Sequence, residues 1–142
     1  MAIDLTNSLT YLELRLQDPN NLIYSTTLLT EAIRSALQEL SSAYGEALTL
    51  EGLDTETETT FSALDLHTLL VGAHAYALQS RLAGKADEPN PTRDNQSKIA
   101  ELAANKMEEF QGLLTHVKLR RFQETTDHPY SEWEWDEGED FS

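Results

Sequence analysis

Leucines recur along the first part of the chain with the spacing of an α-helix. Leu5, Leu9, Leu12 and Leu16 follow one another at steps of four, three and four residues. This spacing places one apolar stripe on a short helix that ends before Asp18-Pro19. Because the stripe needs an apolar partner, the pattern predicts helix-on-helix packing.

A second helix is predicted after the polar turn Asp18-Pro-Asn-Asn21. Ser25 is a suitable N-cap, the helix continues to Tyr44, and Gly45 supplies the stop. One face of this helix is apolar and is expected to be buried: Leu29, Ile33, Ala36, Leu37, Leu40 and Tyr44.

The helical period disappears between Glu46 and Thr60. Leu48 and Leu50 alternate with polar neighbours, and a run of alternating threonine and glutamate follows. Threonine-rich alternation favours extended chain, so residues 46–60 are predicted to form a long loop or a small β-hairpin.

A third helix is predicted over residues 64–82. Ser62 and Asp65 have the spacing of a capping box at its start, and Gly84 is expected to end it. A polar linker with two prolines, residues 85–95, follows.

The longest predicted helix covers about residues 93–122. Its apolar positions keep three-four spacing for five turns or more: Ile99, Leu102, Ala103, Met107, Phe110, Leu113, Leu114 and Val117. Lys118, Arg120 and Arg121 occupy the last turns, where cations complement the helix dipole.

These elements predict an all-α fold, a small bundle of three to four helices with one long loop or short β-hairpin and an extended C-terminal arm. The helical domain is assigned to residues 1–123 and the arm to residues 124–142. A chain of 142 residues is long enough for one hydrophobic core.

The charge balance narrows the possible partners. Twenty-five acidic residues against ten lysines and arginines give a formal net charge of −15. Such a surface repels a phosphate backbone, so a basic nucleic-acid-binding face is not expected, although DNA could pass along a negative wall without adhering. The chain has no cysteine, and we expect no signal peptide and no membrane span.

The C-terminal arm combines charge with aromatic rings. Residues 124–142 contain eight carboxylates and no lysine or arginine, together with four aromatic residues: Tyr130, Trp133, Trp135 and Phe141. Aromatic side chains are frequent interface anchors, which indicates a docking segment. Pro129, Gly138 and the dense charge favour an extended conformation. The alternatives are an intramolecular latch over the chain's own helices and a disordered tail.

Catalytic motifs are not apparent. His67 and His74 share a helix face and have Asp65 or Glu101 nearby. Because the sequence has no HExxH or Glu-x-x-His pattern, we expect each to be a satisfied or solvent-facing histidine and predict no metal site. The sequence also lacks a phosphate-binding loop and a nucleophile elbow. We therefore expect no enzyme activity and no cofactor.

The first half of the chain carries motifs that resemble a known family. These are Glu13-Leu-Arg-Leu-Gln-Asp-Pro19, then Tyr24-Ser25, then Leu29 with Ala32-Ile33 and Ala36-Leu37. Together with a long helix ending in Leu-Leu-x-x-Val-x-x-Arg-Arg and an acidic, tryptophan-containing C-terminus, they resemble the head-tail connector (adaptor) proteins of tailed bacteriophages.

The resemblance implies a mechanical role in the virion neck. Members of this family assemble as a homo-oligomeric ring, generally of twelve subunits, beneath the portal protein. The ring extends the channel for non-specific passage of double-stranded DNA and offers a platform to the tail or stopper protein below. The resemblance implies no catalytic residue, no cofactor and no membrane, and it implies synthesis in the host bacterial cytoplasm.

Carried to this chain, the resemblance makes residues 124–142 a portal-docking arm, with the four aromatic residues as its contacts. Subunit or lumen contacts are expected at the acidic loop residues and the basic helix end: Glu51, Asp54, Glu56, Glu58, Lys118, Arg120 and Arg121. Whether the loop lines the lumen or contacts the tail stays open. The alternative function is an acidic interaction module, such as a DNA mimic that inhibits a nucleic-acid-binding protein.

Overall fold

A computed structural model of the protein describes residues 3–86 and 93–133, with side chains described for residues 3–83 and 97–124. Four α-helices follow one another in these ranges: α1 Leu5–Arg15, α2 Thr26–Tyr44, α3 Leu66–Ala86 and α4 Arg93–Trp133. A 3-10 turn, Ala63–Asp65, immediately precedes α3. The predicted all-α bundle is confirmed.

The first two helices begin and end where their sequence signals predict. The Asp4 carboxylate accepts a hydrogen bond from the Asn7 backbone N–H at 2.8 Å and caps α1. The Ser25 hydroxyl accepts from the Leu28 N–H at 3.1 Å and caps α2. Gly45 ends α2 with φ of +80°, a left-handed conformation that glycine adopts without steric cost.

The long helices α3 and α4 run antiparallel. Near the start of α3, Asp65 contacts Arg120, and at its middle Gly72 lies against Phe110. Towards its end, Leu78 packs against Ile99 at the start of α4. Helix α2 packs against both α3 and α4, and α1 packs against α2 and α3. The body is therefore a bundle of three long helices to which α1 is added.

The apolar core lies between these helices and includes part of the loop. The completely buried core residues include Leu12 of α1, Leu29 and Ile33 of α2, and Phe110 of α4. In the loop between α2 and α3, the core members are Leu48, Leu50, Leu53 and Phe61. The burial of these side chains fixes the loop to the body.

Residues 46–60 form a loop, and the hairpin alternative is wrong because no strand occurs in this fully described range. The Thr60 N–H donates to the Thr49 carbonyl at 3.1 Å, and the Gly52 N–H donates to the Glu56 carbonyl at 2.9 Å. A single parallel bridge joins Glu51 to Asp4. Threonine hydroxyls take the place of a regular ladder, since the Thr49 N–H donates to the Thr60 hydroxyl at 2.8 Å.

Two helix ends differ from the sequence prediction. Helix α3 passes through Gly84 to Ala86, because a glycine costs a helix only about 1 kcal/mol and good helix formers follow it. Helix α4 ends at Trp133 and not near Phe122. Pro129 lies within it, where its fixed φ is compatible with a helix although one hydrogen bond is lost. An extended arm is thus limited to residues 134–142, which lie outside the described residues.

Candidate functional site

Four side chains meet where α4 passes the start of α3, and we call Tyr44, Asp65, Arg120 and Arg121 the exit cluster. The Asp65 carboxylate is 2 % exposed and accepts two hydrogen bonds from Arg120, from Nη1 at 3.0 Å and from Nη2 at 2.7 Å. The Tyr44 hydroxyl donates to the same carboxylate. This bidentate, charge-assisted geometry is the strongest form of arginine–carboxylate pairing.

Arg121 completes the exit cluster from the neighbouring position on α4. Its guanidinium lies over the Tyr44 ring, with Cζ 4.5 Å from the ring centroid. It also approaches carboxylates of Glu46 and Glu124 at 3.8 Å each. The two arginines therefore fasten α4 to the end of α2 and to the turn before α3.

The electrostatics of the exit cluster keep both arginine and tyrosine protonated. Burial, followed by the hydrogen bond to Asp65, raises the pKa of Tyr44. The hydrogen bonds to Asp65 raise the pKa of Arg120. The Tyr44 hydroxyl and the Arg120 guanidinium therefore remain hydrogen-bond donors to Asp65 at neutral pH.

Sequence reasoning assigned Asp65 to a capping box, and that assignment is wrong. Ser62 does cap, with its hydroxyl accepting from the Leu64 N–H at 3.1 Å, but the capped element is the 3-10 turn. The Ser62 N–H, which a capping-box acid would bind, donates to the Tyr44 hydroxyl at 3.3 Å instead. The carboxylate of Asp65 turns inward to Arg120, because a buried carboxylate requires a charged partner.

The four acidic residues predicted as contacts in the loop do not act alike. Asp54 forms a bidentate pair with Arg34 of α2, at 2.6 Å to Nη2 and 3.1 Å to Nε, and this arginine lowers the pKa of Asp54. Glu51, Glu56 and Glu58 are exposed on the loop surface. Asp54 is also exposed, but its ion pair with Arg34 holds it against the body, whereas no ion pair of Glu51, Glu56 or Glu58 is described.

The three basic residues predicted as contacts at the end of the long helix also differ in their surroundings. Lys118 is exposed on α4, whereas Arg120 and Arg121 contact their own chain in the exit cluster. Among the arm residues, Tyr130 and Trp133 belong to the last turns of α4, and Trp135 and Phe141 lie outside the described residues. The portal-docking role of these aromatics stays a prediction.

Asp18 is a site that the sequence reasoning missed. Its carboxylate accepts backbone N–H bonds from Leu22 at 2.9 Å, Ile23 at 3.0 Å and Tyr24 at 2.8 Å. These bonds, that of Tyr24 foremost, lower the pKa of Asp18. The available sequence signal was the spacing of Asp18, Tyr24 and Ser25 before a helix. The hydrogen bonds of Asp18 join the turn after α1 to the capped start of α2.

His67 and His74 lie on one face of α3, but no side chain is described that binds both imidazole rings. Arg15 Nη2 lies 3.2 Å from His67 Nδ1, in a geometry in which the ring nitrogen accepts. His74 is half-buried farther along α3. In the described part of the chain, no group of three or more histidine, cysteine, aspartate or glutamate side chains is placed to hold a metal ion.

We expect His74 to make the protein sensitive to acid. Its pKa is lowered from 6.5 to about 4, first by burial, then by the charges of Lys106 and Arg15, against an opposing effect of Glu109. Between these two values the unfolded chain binds a proton that the folded chain does not, so the free energy of unfolding falls as the pH falls.

The measurement is a pair of urea titrations on the native protein and on His74→Gln. Between about pH 7 and about pH 4.5, the native protein is expected to lose about 1–2 kcal/mol more than the variant, a value reduced for the partial exposure of the ring. Equal losses in the two proteins would show that His74 takes up its proton alike in the folded and unfolded states.

Two further findings complete the description of the chain. Within the described ranges, none of the helices combines the length and the apolar character that crossing a membrane demands. No protein-family model, no curated protein and no solved structure matches the chain.

Proposed function

We propose that this protein is a head-tail connector of a tailed bacteriophage, a structural protein that forms a ring beneath the portal and carries the tail. The observation that carries the proposal is the build of α4. One helix is buried against the body at Val117, is fastened by the exit cluster at Arg120, and then continues to Trp133 with the acidic, aromatic segment beyond it.

This build suits an arm that must meet a partner at a distance from the body. The twelve residues from Phe122 to Trp133 span about 18 Å as a helix. When the base of a helix is fixed, its far end loses less conformational entropy on binding a partner than the end of a flexible linker does. Several such arms on one ring give high avidity for the portal provided that they engage together.

The surface charge agrees with passage of DNA through the ring. Glu51, Glu56 and Glu58 are exposed on the loop, and the chain as a whole carries −15. A ring multiplies this charge, and an electronegative lumen would let the duplex slide without adhering. These three glutamates are therefore proposed to face the lumen or the tail protein below, with Lys118 at a subunit contact.

The test is removal of the aromatic anchors. Trp133→Ala combined with Trp135→Ala is expected to leave the helical body folded and to weaken attachment to a portal ring at least tenfold, because buried tryptophans carry most of the energy of such contacts. Binding to purified portal rings, followed by mass photometry and negative-stain imaging, gives both the affinity and the shape of the complex.

Leu22→Ala is the matched control, since Leu22 is an apolar residue that is 84 % exposed and lies in the turn before α2. It is expected to bind as the native protein does. Unchanged portal binding by the double tryptophan variant would sink the docking proposal. A monomer or dimer that ignores the portal and binds a nucleic-acid enzyme in a salt-sensitive way would favour the DNA-mimic alternative.

A further inference from the structure

Two adjoining pockets lie along the face of α3 that carries His67 and His74. The first, the apolar pocket, has a volume of about 440 Å³ and is lined mainly by Tyr11, Leu14, Leu66 and Leu70. The second, the basic pocket, has a volume of about 280 Å³ and is lined by Arg15, Tyr24, His74, Leu78 and Arg81, among others. Arg15 lines both pockets, and we call the two together the α1–α3 groove.

Two cations that make no described ion pair, Arg15 and Arg81, line the groove. Arg34, Lys106, Arg120 and Arg121 each contact a carboxylate. By contrast, the described contact of Arg15 is with His67, and that of Arg81 is with the Tyr24 ring at 5.9 Å, with Asp18 adding a longer-range attraction. On an acidic protein, such a groove selects an occupant that is negatively charged and partly apolar.

We propose that in the free protein this groove receives residues 134–142 of a second copy of the chain, with Trp135 in the apolar pocket and the carboxylates beyond it on Arg15 and Arg81. The segment has the required composition, with two aromatic residues, five carboxylates and no lysine or arginine. The apolar pocket is large enough for an indole ring.

The spacing of the segment fits that of the groove. His67 and His74, one in each pocket, are seven residues apart on α3, a distance of about 10 Å along the helix axis. Three residues of extended chain also cover about 10 Å. With Trp135 in the apolar pocket, Glu137, Glu139 and Asp140 therefore lie at or near the basic pocket.

The reach of the arm shows that the occupant comes from a second copy. The apolar pocket lies beside the start of α3, which is level with Arg120 on α4. The thirteen helical steps from Arg120 to Trp133 carry the end of α4 about 20 Å away from that level. Two residues of extended chain span only about 7 Å, so Trp135 cannot return to the groove of its own chain.

This inference goes beyond the proposed function, because it concerns the chain before it meets any portal. The groove and the portal would compete for Trp135. An arm bound to a second copy would therefore keep Trp135 covered until the protein meets the portal. Variants of the groove leave the arm intact, and variants of the arm leave the groove intact. The two proposals can therefore fail separately.

The experiment is a mixing test on the full chain. Arg15→Glu reverses a charge on an exposed side chain that lines both pockets, and Trp135→Ala removes the anchor. Each variant alone is expected to self-associate at least tenfold more weakly than the native protein in analytical ultracentrifugation. An equimolar mixture is expected to regain association, because the intact arm of one variant meets the intact groove of the other.

Lys98→Glu is the matched control, since Lys98 is exposed, undergoes the same charge reversal and lines neither pocket. It is expected to self-associate as the native protein does. Circular dichroism verifies that every variant is folded. Two-dimensional NMR adds a second readout: the His74 ring signals should shift on association of the native protein but not in Trp135→Ala.

Three results would overturn the proposal. The first is a native chain that stays monomeric at all concentrations tested. The second is self-association that neither Arg15→Glu nor Trp135→Ala weakens. The third is a mixture of the two variants that associates no better than either alone. Retained portal binding by Arg15→Glu would leave the connector proposal standing in each of these cases.

Discussion

Replacement of Gly72 by alanine is expected to destabilise the protein by about 2–3 kcal/mol, the cost of overpacking a well-filled core. A Cβ added to Gly72 would lie 2.5 Å from Cζ and 2.6 Å from Cε1 of Phe110. That ring is completely buried between α3 and α4, and protein interiors are close-packed, so the ring can move aside only by displacing its neighbours. Urea unfolding followed by circular dichroism measures the loss.

Gly112→Ala is the matched control on the opposing helix. A Cβ at Gly112 meets nothing within 4 Å, so the same change there is expected to stabilise α4 by about 0.5–1 kcal/mol. The smaller side chain of Phe110→Leu should recover part of the loss when it is combined with Gly72→Ala. A neutral Gly72→Ala would mean that α3 and α4 are farther apart than described.

Removal of Arg120 is the second change with a large expected effect. Arg120→Ala leaves the Asp65 carboxylate buried with Tyr44 as its remaining partner, and this is expected to cost about 2–4 kcal/mol. The cost is kept below that of a fully buried pair because the arginine side chain is 35 % exposed. Thermal and urea unfolding of the variant provide the measurement.

Arg34→Ala gives the comparison for the Arg120 prediction. Arg34 also makes a bidentate pair, with Asp54, but this partner is 57 % exposed and can be solvated when the arginine is removed. The expected loss is below about 1 kcal/mol. Equal losses in the two variants would show that burial of Asp65 does not govern the strength of the exit cluster.

Local signals were enough to predict α1 and α2. The leucine stripe from Leu5 to Leu16 and the pair Ser25 and Gly45 act through neighbours a few residues away, and the structure places helix starts and stops accordingly. The three-four pattern from Ile99 to Val117 likewise predicted that α4 is a long helix. The ends of α3 and α4 were less predictable, because Gly84 and Pro129 weaken a helix without forcing it to stop.

The exit cluster could not be predicted from local signals. Ser62 and Asp65 fit a capping box, and nothing near them in sequence indicates a partner fifty-five residues away at Arg120. The same holds for the groove, where Arg15 and His67 are separated by fifty-two residues. The spacing of His67 and His74 predicted a shared face, but only the packing of α1 on α3 determines what that face contacts.

The loop between α2 and α3 was predicted from the sequence only in part. Its alternating pattern correctly indicated a non-helical loop, but it did not show that the leucines are buried. Leu48, Leu50 and Leu53 are buried, and the Thr60 hydroxyl accepts a hydrogen bond from the Thr49 backbone N–H. Three leucines among fifteen residues bind the loop to the core because each is nearly fully removed from water.

The distance between the exit cluster and Trp133 has a mechanical consequence. Over about 20 Å of helix, a rotation of about 10° at Arg120 moves the far end by about 3.5 Å, the length of one extended residue. The helix therefore works as a lever whose pivot is the buried Asp65 carboxylate. Looser packing around Asp65 would widen the range of positions of Trp133, which lies about 20 Å farther along α4.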